Sequence, residues 1–171
     1  NNDGLVDIVV LDMLPEDNHR QKLLLAPDNY AKFDLNVRSG FYYQYMRNML
    51  QLNNGNGTFS EIGQMAGISN TDWSWSALFA DYDNDGYIDI IVSTYNDACV
   101  PCTYPMLVYR NLGGGSFMRI TTGIIATYTD RTFGLAWGDY DNDGRLDLFL
   151  CAGFDGNNLL FHNEGNGNFT R

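Results

Sequence analysis

The chain has 171 residues, of which 44% are hydrophobic and 18% charged, so it can bury a core and does not have the composition of a disordered chain. Its formal net charge of −11 disfavours nucleic acid as a partner. No stretch reaches the ~20 apolar residues that a transmembrane helix needs.

The first residues form an acidic stretch that returns in longer form twice along the chain. Asn1, Asp3, Gly4, Leu5 and Asp7 have the spacing of the second half of those later stretches. We therefore expect the chain to begin inside a metal-binding loop, as part of a longer protein. No signal peptide is visible, which agrees with a start in the middle of a motif.

Residues 13–46 depart from the repeating pattern and indicate an insertion. Within it, Asp28 is placed to cap a short helix over residues 29–38. We expect the apolar residues of this insertion to pack onto the sheets rather than to bind a ligand. They are Leu23, Leu24, Leu25, Phe33 and Leu35.

Three stretches rich in asparagine and glycine predict hairpins, because these residues adopt the positive φ angles that tight turns require. The stretches cover residues 52–59, 109–117 and 161–169. In each, a phenylalanine follows an asparagine by six residues, and an acidic loop begins 22 residues after the first and second phenylalanines. This constant register indicates a structural repeat of about 58 residues.

The stretch from Asp81 to Asp89 carries the clearest chemistry. Aspartates stand at positions 1, 3, 5 and 9, and Gly86 at position 6 allows a tight turn. The carbonyl at position 7 can face the same point, so the loop offers the oxygen ligands that Ca²⁺ prefers. A solvated acidic loop is the alternative, but two like charges ~4 Å apart repel by about 4 kcal/mol at an effective dielectric of ~20.

The same motif occurs in full at residues 139–147 and in part at residues 1–7. The sequence therefore predicts three sets of calcium ligands, in which the residue at position 7 acts through its carbonyl. The sets are Asp81, Asp83, Asp85, Tyr87 and Asp89; Asp139, Asp141, Asp143, Arg145 and Asp147; and Asn1, Asp3, Leu5 and Asp7.

An EF-hand is excluded by the residues around these loops. That motif needs a glutamate at position 12 and a helix on each side. Position 12 is apolar in all three loops, where it is occupied by Val10, Val92 and Leu150. The flanking runs are short, apolar and partly β-branched, which is typical of strands.

Three cysteines cannot all pair within one chain. Cys99 and Cys102 form a CxxC pattern, but Pro105 follows where a redox motif would open a helix. A small loop disulfide or two free thiols therefore fit this pattern better than a redox centre. A zinc site would require Cys151, His19 and His162 to meet, together with a further ligand.

The complete repeat predicts four strands, near residues 75–80, 87–94, 105–111 and 116–121. Four antiparallel strands repeated radially make the blades of a β-propeller, so the predicted fold is all-β. The chain is long enough for about three such blades, whereas propellers typically close with ~4–8.

These motifs resemble the FG-GAP/VCBS repeats of integrin-α-like propellers and of bacterial proteins that carry ASPIC/UnbV domains. The resemblance rests on residues 50–59, 79–86 and 136–144. It implies a calcium-stabilised propeller, usually exported, without fixing one activity. We expect a partial propeller over residues 1–171, with blades at 1–62 (insertion 13–46), 75–121 and 133–171, completed by further blades of the same protein or by other chains.

Strand alternation places the acidic loops and the hairpins at one end of the sheets and the variable connections at the other. A ligand would meet aromatic residues at this second end, namely Tyr42, Tyr43, Trp73, Tyr95, Tyr104 and Tyr128. Loops on a rigid scaffold commonly carry binding sites, although these side chains could equally serve packing.

The leading functional interpretation is a secreted or cell-surface module for adhesion or for protein or glycan binding, with structural calcium. One alternative is a polysaccharide-active enzyme of the lyase or hydrolase type, and another is a structural part of a larger surface protein. No catalytic constellation stands out, since Glu16, Asp97, Asp130 and Asp155 cannot be paired from the sequence.

Overall fold

A computed structural model describes residues 1–24, 29–43, 45–94, 105–129, 131–153 and 156–171. The described strands are β1 (Ile8–Val10), β2 (Met49–Asn53), β3 (Phe59–Glu61), β4 (Ser74–Ala80), β5 (Asp89–Thr94), β6 (Leu107–Asn111), β7 (Phe117–Ile120), β8 (Thr132–Gly138), β9 (Asp147–Ala152), β10 (Leu159–Gly165) and β11 (Asn168–Thr170). The helices are α1 (Asn18–Leu24) and α2 (Tyr30–Arg38). Neither described helix has the length and hydropathy needed to cross a lipid bilayer.

The strands form three antiparallel sheets in which each strand pairs with its neighbour in sequence. The first sheet contains β1 to β3, the second β4 to β7 and the third β8 to β11. The all-β fold class of a propeller fragment is confirmed, and the four strands of the second sheet lie within two residues of the predicted bounds. A register shift between Ser74 and Ser76 recurs between Thr132 and Gly134, as expected of a true structural repeat.

The core lies between stacked sheets, because alternate side chains of a strand face opposite sides. In β5, Ile91 packs in a cluster with Leu148 and Leu150 of the third sheet. Its neighbours Ile90 and Val92 pack in a second cluster that includes residues of the first sheet. The second sheet is therefore apolar on both faces, which explains the nearly continuous hydrophobic run in its central strands.

The alternation of strand direction places the acidic loops and the hairpins at the same end, as predicted. Ala80 pairs with Asp89 beside the acidic loop, and Asn111 pairs with Phe117 beside the hairpin. At the other end, the backbone N–H of Met106 donates to the carbonyl of Tyr128. The predicted connection at residues 95–104, with both of its cysteines, lies outside the described residues.

The insertion contains helix α2 close to its predicted position, but two details of the prediction are wrong. The N-cap is Asn29 rather than Asp28, since the Asn29 side chain accepts a hydrogen bond from the Lys32 N–H. The expected packing on the sheets fails for Leu23, which is 70% exposed, and for Leu35, which is 63% exposed. Leu25 and the side chain of Leu24 lie outside the described residues. Phe33 instead packs near the rings of Tyr30, Tyr43 and Tyr45 within the insertion.

Candidate metal centre

The three acidic loops share one backbone conformation. Position 4 has a positive φ angle in each loop, at Asn2 (65°), Asn84 (59°) and Asn142 (61°). Position 6 is a glycine with φ between 82° and 90° in all three. Asparagine and glycine are the residues that tolerate this region best, so the sequence dictates the same tight loop three times.

The aspartate at position 1 organises each complete loop. The Oδ1 atom of Asp81 accepts from the N–H of Asp85 at 3.0 Å, and its Oδ2 atom accepts from Gly86 at 2.9 Å. Asp139 makes the same two bonds, to Asp143 at 3.0 Å and Gly144 at 2.9 Å. These bonds curl the backbone around the first carboxylate and direct the following side chains inward.

The curled loops bring three carboxylates together at each complete site. Oxygens of Asp81, Asp83 and Asp85 lie within 4.8 Å of one another, and so do oxygens of Asp139, Asp141 and Asp143. Burial, followed by the charge of Asp85, raises the pKa of Asp83 above its ordinary value. Such convergence of oxygen donors is the chemistry that suits a hard divalent cation.

Asp83 gives a direct test of whether a cation fits. Its side chain is only 8% exposed, and its Oδ2 atom lies 2.8 Å from Arg110 Nε. Its Oδ1 atom is buried and has no hydrogen-bond partner among the described residues. Because a buried unpaired carboxylate oxygen is costly, the loop Asp81–Asp89 fits a bound calcium ion at this position.

The aspartate at position 9 lies deeper than the other three. Asp89 is 1% exposed, and it accepts from the N–H of Tyr82 at 3.3 Å and that of Asn111 at 2.7 Å. Burial, aided by the charges of Asp83 and Asp85, raises its pKa to about 7. A carboxylate offers about four lone-pair positions, so these bonds leave room for the predicted metal contact.

Three asparagines close the acidic loops, although the sequence predicted them only as residues of hairpin turns. Asn111 donates from its side chain to the carbonyl of Ile88 at 2.8 Å and accepts from the Gly113 N–H at 2.8 Å. Asn163 and Asn53 make the equivalent bonds in the third and first sheets. The constant spacing in sequence between these asparagines and the acidic loops was the one signal of this role. Only the fold shows that each asparagine joins its acidic loop to the hairpin.

In the second and third sheets, the residue before the hairpin asparagine also reaches the acidic loop, which the sequence did not reveal. Besides its contact with Asp83, Arg110 places Nη2 2.9 Å from Asp85 Oδ2. In the third sheet, His162 Nδ1 lies 3.2 Å from Asp147 Oδ1 and 3.4 Å from Asp141 Oδ2. The two complete loops therefore differ in the group that faces their carboxylates.

Metal binding by the position-7 carbonyls and by the partial loop at residues 1–7 stays a prediction. Tyr87 and Arg145 were expected to offer carbonyls, and their backbone N–H groups donate to Asp85 and Asp143 at 2.9 Å and 2.8 Å. The guanidinium of Arg145 also pairs with the carboxylate of Asp143. In the partial loop, the side-chain amide of Asn1 donates to Asp3 Oδ2 at 2.8 Å. The Leu5 N–H donates to Asp3 at 2.9 Å, and this bond is the main cause that lowers the pKa of Asp3.

Neighbouring sheets are hydrogen-bonded to each other through these loops. The side chain of Asn2 donates to the carbonyl of Gly86 at 2.6 Å, and that of Asn163 donates to the carbonyl of Tyr82 at 2.9 Å. An ion that fixed the loop Asp81–Asp89 would thus also fix contacts with the sheets on both sides.

The opposite end of the sheets holds the insertion against the second sheet through two ion pairs. Arg119 Nη1 lies 2.7 Å from Glu16, and Arg20 Nη2 lies 3.1 Å from Asp72. Of the unassigned carboxylates, Glu16 is therefore part of this anchor, and Asp97, Asp130 and Asp155 lie outside the described residues.

The aromatic side chains predicted at this end are divided between solvent and packing. Tyr42 is exposed, whereas Tyr128 packs edge-on against the ring of Phe161. Tyr43 stacks on Tyr45, and Trp73 is partly buried. Tyr95 and Tyr104 lie outside the described residues. Packing therefore accounts for some of these aromatic residues.

Comparison with known proteins identifies one family. A family model described as FG-GAP-like repeat matches residues 1–92 and 95–150, which together include all three acidic loops. No curated protein matches the chain.

Proposed function

The chain belongs to the FG-GAP-like repeat family, and from this we propose that it is a calcium-binding propeller module of a secreted or cell-surface protein. The family supports a propeller-type module, and the loops supply the chemistry for the metal. In this proposal calcium has a structural role, and adhesion or the binding of a protein or glycan is the function of the assembled module.

The observation that carries the calcium proposal is the buried Oδ1 atom of Asp83, which has no hydrogen-bond partner in the described part of the chain. Asp81 and Asp85 place further oxygens beside it. Calcium would be held by Asp81, Asp83, Asp85 and Asp89 with the Tyr87 carbonyl, and by Asp139, Asp141, Asp143 and Asp147 with the Arg145 carbonyl. The ion would supply positive charge between carboxylates that otherwise repel one another.

The expected affinity for calcium supports a location outside the cell. Several loop carboxylates are partly or fully exposed, so water would compete with them as a ligand of a bound ion. Calcium modules that work outside cells bind with Kd of ~10⁻⁴–10⁻³ M, which is suited to such open sites. A cytosolic protein would require much tighter loops to retain the ion.

Further blades are the proposed partners of the end sheets. Phe149 and Leu160 of the third sheet are partly exposed, while their neighbours Leu148 and Phe161 are buried in the core. In the first sheet, Ile8 and Val10 are likewise exposed. Apolar residues on the outer faces of both end sheets suit contact with additional blades, from the same protein or from another chain.

Ligand binding is proposed for the end opposite the metal loops. A cleft of about 240 Å³ lies there, lined by residues that include Glu16, Asp72, Thr94 and Arg119. Its mixed charges suit a polar ligand such as a glycan. The carboxylates of Glu16 and Asp72 also leave a polysaccharide-active enzyme as the second candidate, although both are paired with arginines.

Calcium titration by calorimetry tests the metal proposal, with two sites expected for the wild type and one for Asp83→Ala. A glycan array, together with an assay for reducing ends released from acidic polysaccharides, separates binding from catalysis. Absence of calcium binding in a folded protein would overturn the proposal. Binding of calcium without any glycan or protein ligand would leave a purely structural role.

A further inference from the structure

In the third sheet, an imidazole nitrogen that can bind a metal lies beside the acidic loop. In the second sheet, the guanidinium of Arg110 occupies the equivalent place. We propose that the loop Asp139–Asp147, together with His162, is a mixed nitrogen–oxygen site for a divalent transition-metal ion of the Zn²⁺ class. This inference rests on the proposal that the acidic loops bind cations. It differs from that proposal in the kind of ion that one loop selects.

The three candidate ligands meet at one point. His162 Nδ1 lies 3.2 Å from Asp147 Oδ1 and 3.4 Å from Asp141 Oδ2, and atoms of all three residues lie within 4.8 Å of one another. Around a tetrahedral zinc ion with bonds of ~2.0–2.1 Å, neighbouring ligand atoms are about 3.3 Å apart. The two separations from His162 match that spacing, and the third pair of ligand atoms, from Asp141 and Asp147, lies within 4.8 Å.

The imidazole nitrogen Nδ1 of His162 faces both carboxylates, and the side chain as a whole is 25% exposed. Nδ1 of His162 is buried, yet it has no hydrogen-bond partner among the described residues despite its two carboxylate neighbours. A buried polar atom normally finds a partner, and a nitrogen without a well-aligned hydrogen bond at this distance from two carboxylates suits coordination of a cation. Asp147, which is 0% exposed, is fixed by the N–H groups of Tyr140 and Asn163.

The surroundings hold the histidine ring in place. Tyr140 packs edge-on against the ring with centroids 6.0 Å apart. On the far side, Glu164 Oε1 lies 4.0 Å from Nε2. This distance is too long for a hydrogen bond, so Glu164 contributes only a nearby negative charge on that side of the ring.

The corresponding position of the second sheet cannot play this role. Arg110 also precedes a hairpin asparagine and also faces its loop, but a guanidinium is cationic and has no lone pair to give. Imidazole favours zinc, copper, iron and nickel, whereas carboxylates and carbonyls favour calcium and magnesium. Arg110 and His162 would therefore make the loop Asp81–Asp89 specific for hard cations and open the loop Asp139–Asp147 to zinc.

The test uses protein labelled with ¹⁵N at histidine, titrated with ZnCl₂ in the presence of ~1 mM calcium. The chain has two histidines, and His19, exposed on α1, serves as the internal reference. We expect the Nδ1 resonance of His162 to shift and to saturate at one equivalent of zinc, while His19 does not change. Dialysis followed by elemental analysis should then show one zinc ion per chain.

The matched variant is His162→Asn, which we expect to lower zinc affinity at least about tenfold while calcium binding by the loop Asp81–Asp89 is retained. If the variant does not fold, the resonance of His162 in the wild type decides alone. Calcium binding without a zinc-dependent shift of His162, or displacement of zinc by ~1 mM calcium, would overturn the inference and leave the calcium proposal standing. A folded protein that binds neither ion would overturn both.

Discussion

The carboxylate of Asp89 accepts a hydrogen bond of 2.7 Å from the backbone N–H of Asn111. The equivalent bonds, Asp147 to Asn163 at 2.8 Å and Asp7 to Asn53 at 2.9 Å, occur in the other two sheets. Each bond joins the end of an acidic loop to the start of a hairpin. The last aspartate of the motif is therefore part of the sheet's own structure, in addition to its predicted contact with metal.

The first prediction concerns the asparagine of this contact. Asn111→Ala should destabilise the protein by about 1–3 kcal/mol, because the Ile88 carbonyl and the Gly113 N–H lose their partners in a largely buried place. The loss should appear with and without calcium, as measured by urea unfolding. Asn168→Ala, at an exposed hairpin position, is the control and should change stability by less than about 0.5 kcal/mol. Equal effects of the two changes would contradict the proposed role.

Much of the fold could be predicted because its signals are local. The loop turns depend on Asn84 and Gly86, whose types match the φ angles that they adopt. The hairpins and the strands beside them follow from the same kind of signal. The regular spacing of these features then places the strands in order without any knowledge of long-range contacts.

The side chains that surround the acidic loops could not be predicted in the same way. Arg110 and His162 reach the loops only because β6 and β10 lie beside β5 and β9, and a strand sequence does not show which side chain will face a loop. The prediction that apolar residues of the insertion pack on the sheets was wrong for a related reason. Apolar residues such as Leu35 suggest packing, but burial depends on whether a surface is within reach.

The second prediction concerns removal of calcium. If a site has Kd near ~10⁻⁴ M, about 10 mM calcium stabilises the protein by about 2.7 kcal/mol, so EGTA should lower the Tm by ~5–10 °C per site. Asp85→Ala should reproduce the loss for its own loop and should respond less to EGTA. Asp34→Ala, which breaks an exposed ion pair with Arg38, is the matched control and should melt like the wild type. Identical wild-type melting in both buffers, with metal removal verified by elemental analysis, would contradict the prediction.

The third prediction concerns Arg110, which competes with a cation for Asp83 and Asp85. Arg110→Gln should strengthen calcium binding to the loop Asp81–Asp89 by about two- to tenfold, since a positive charge beside the site is removed. Without calcium the same variant should be less stable, because the carboxylates lose their counter-charge.

Calorimetry in the Asp143→Ala background isolates this loop for the measurement. Arg119→Gln removes a positive charge far from both loops and should leave the affinity unchanged, because Arg119 pairs with Glu16. Weaker calcium binding by Arg110→Gln would mean that the guanidinium supports the loop in both states rather than competing for it.

The last prediction concerns pH and the buried Asp72. Burial is the main cause that raises the pKa of Asp72 above its ordinary value of 3.8, and it outweighs the lowering effects of the Trp73 N–H and Arg20. The folded protein therefore holds this proton more tightly than the unfolded chain does. The resulting stability is fully present below pH ~3.8 and is lost as the pH rises through the raised pKa. Asp72→Asn should thus become more stable relative to the wild type as the pH rises from ~4 to ~7.

Asparagine suits this position because the backbone of Asp72 has φ of 61°, which asparagine tolerates, and its side-chain oxygen can still accept from the Trp73 N–H. The measurement is the difference in Tm between variant and wild type across this pH range at constant calcium. Asp34→Asn, on the exposed face of α2, controls for the loss of one negative charge. A difference that stays constant with pH, or that moves in favour of the wild type, would show that the ion pair with Arg20 outweighs the burial of Asp72.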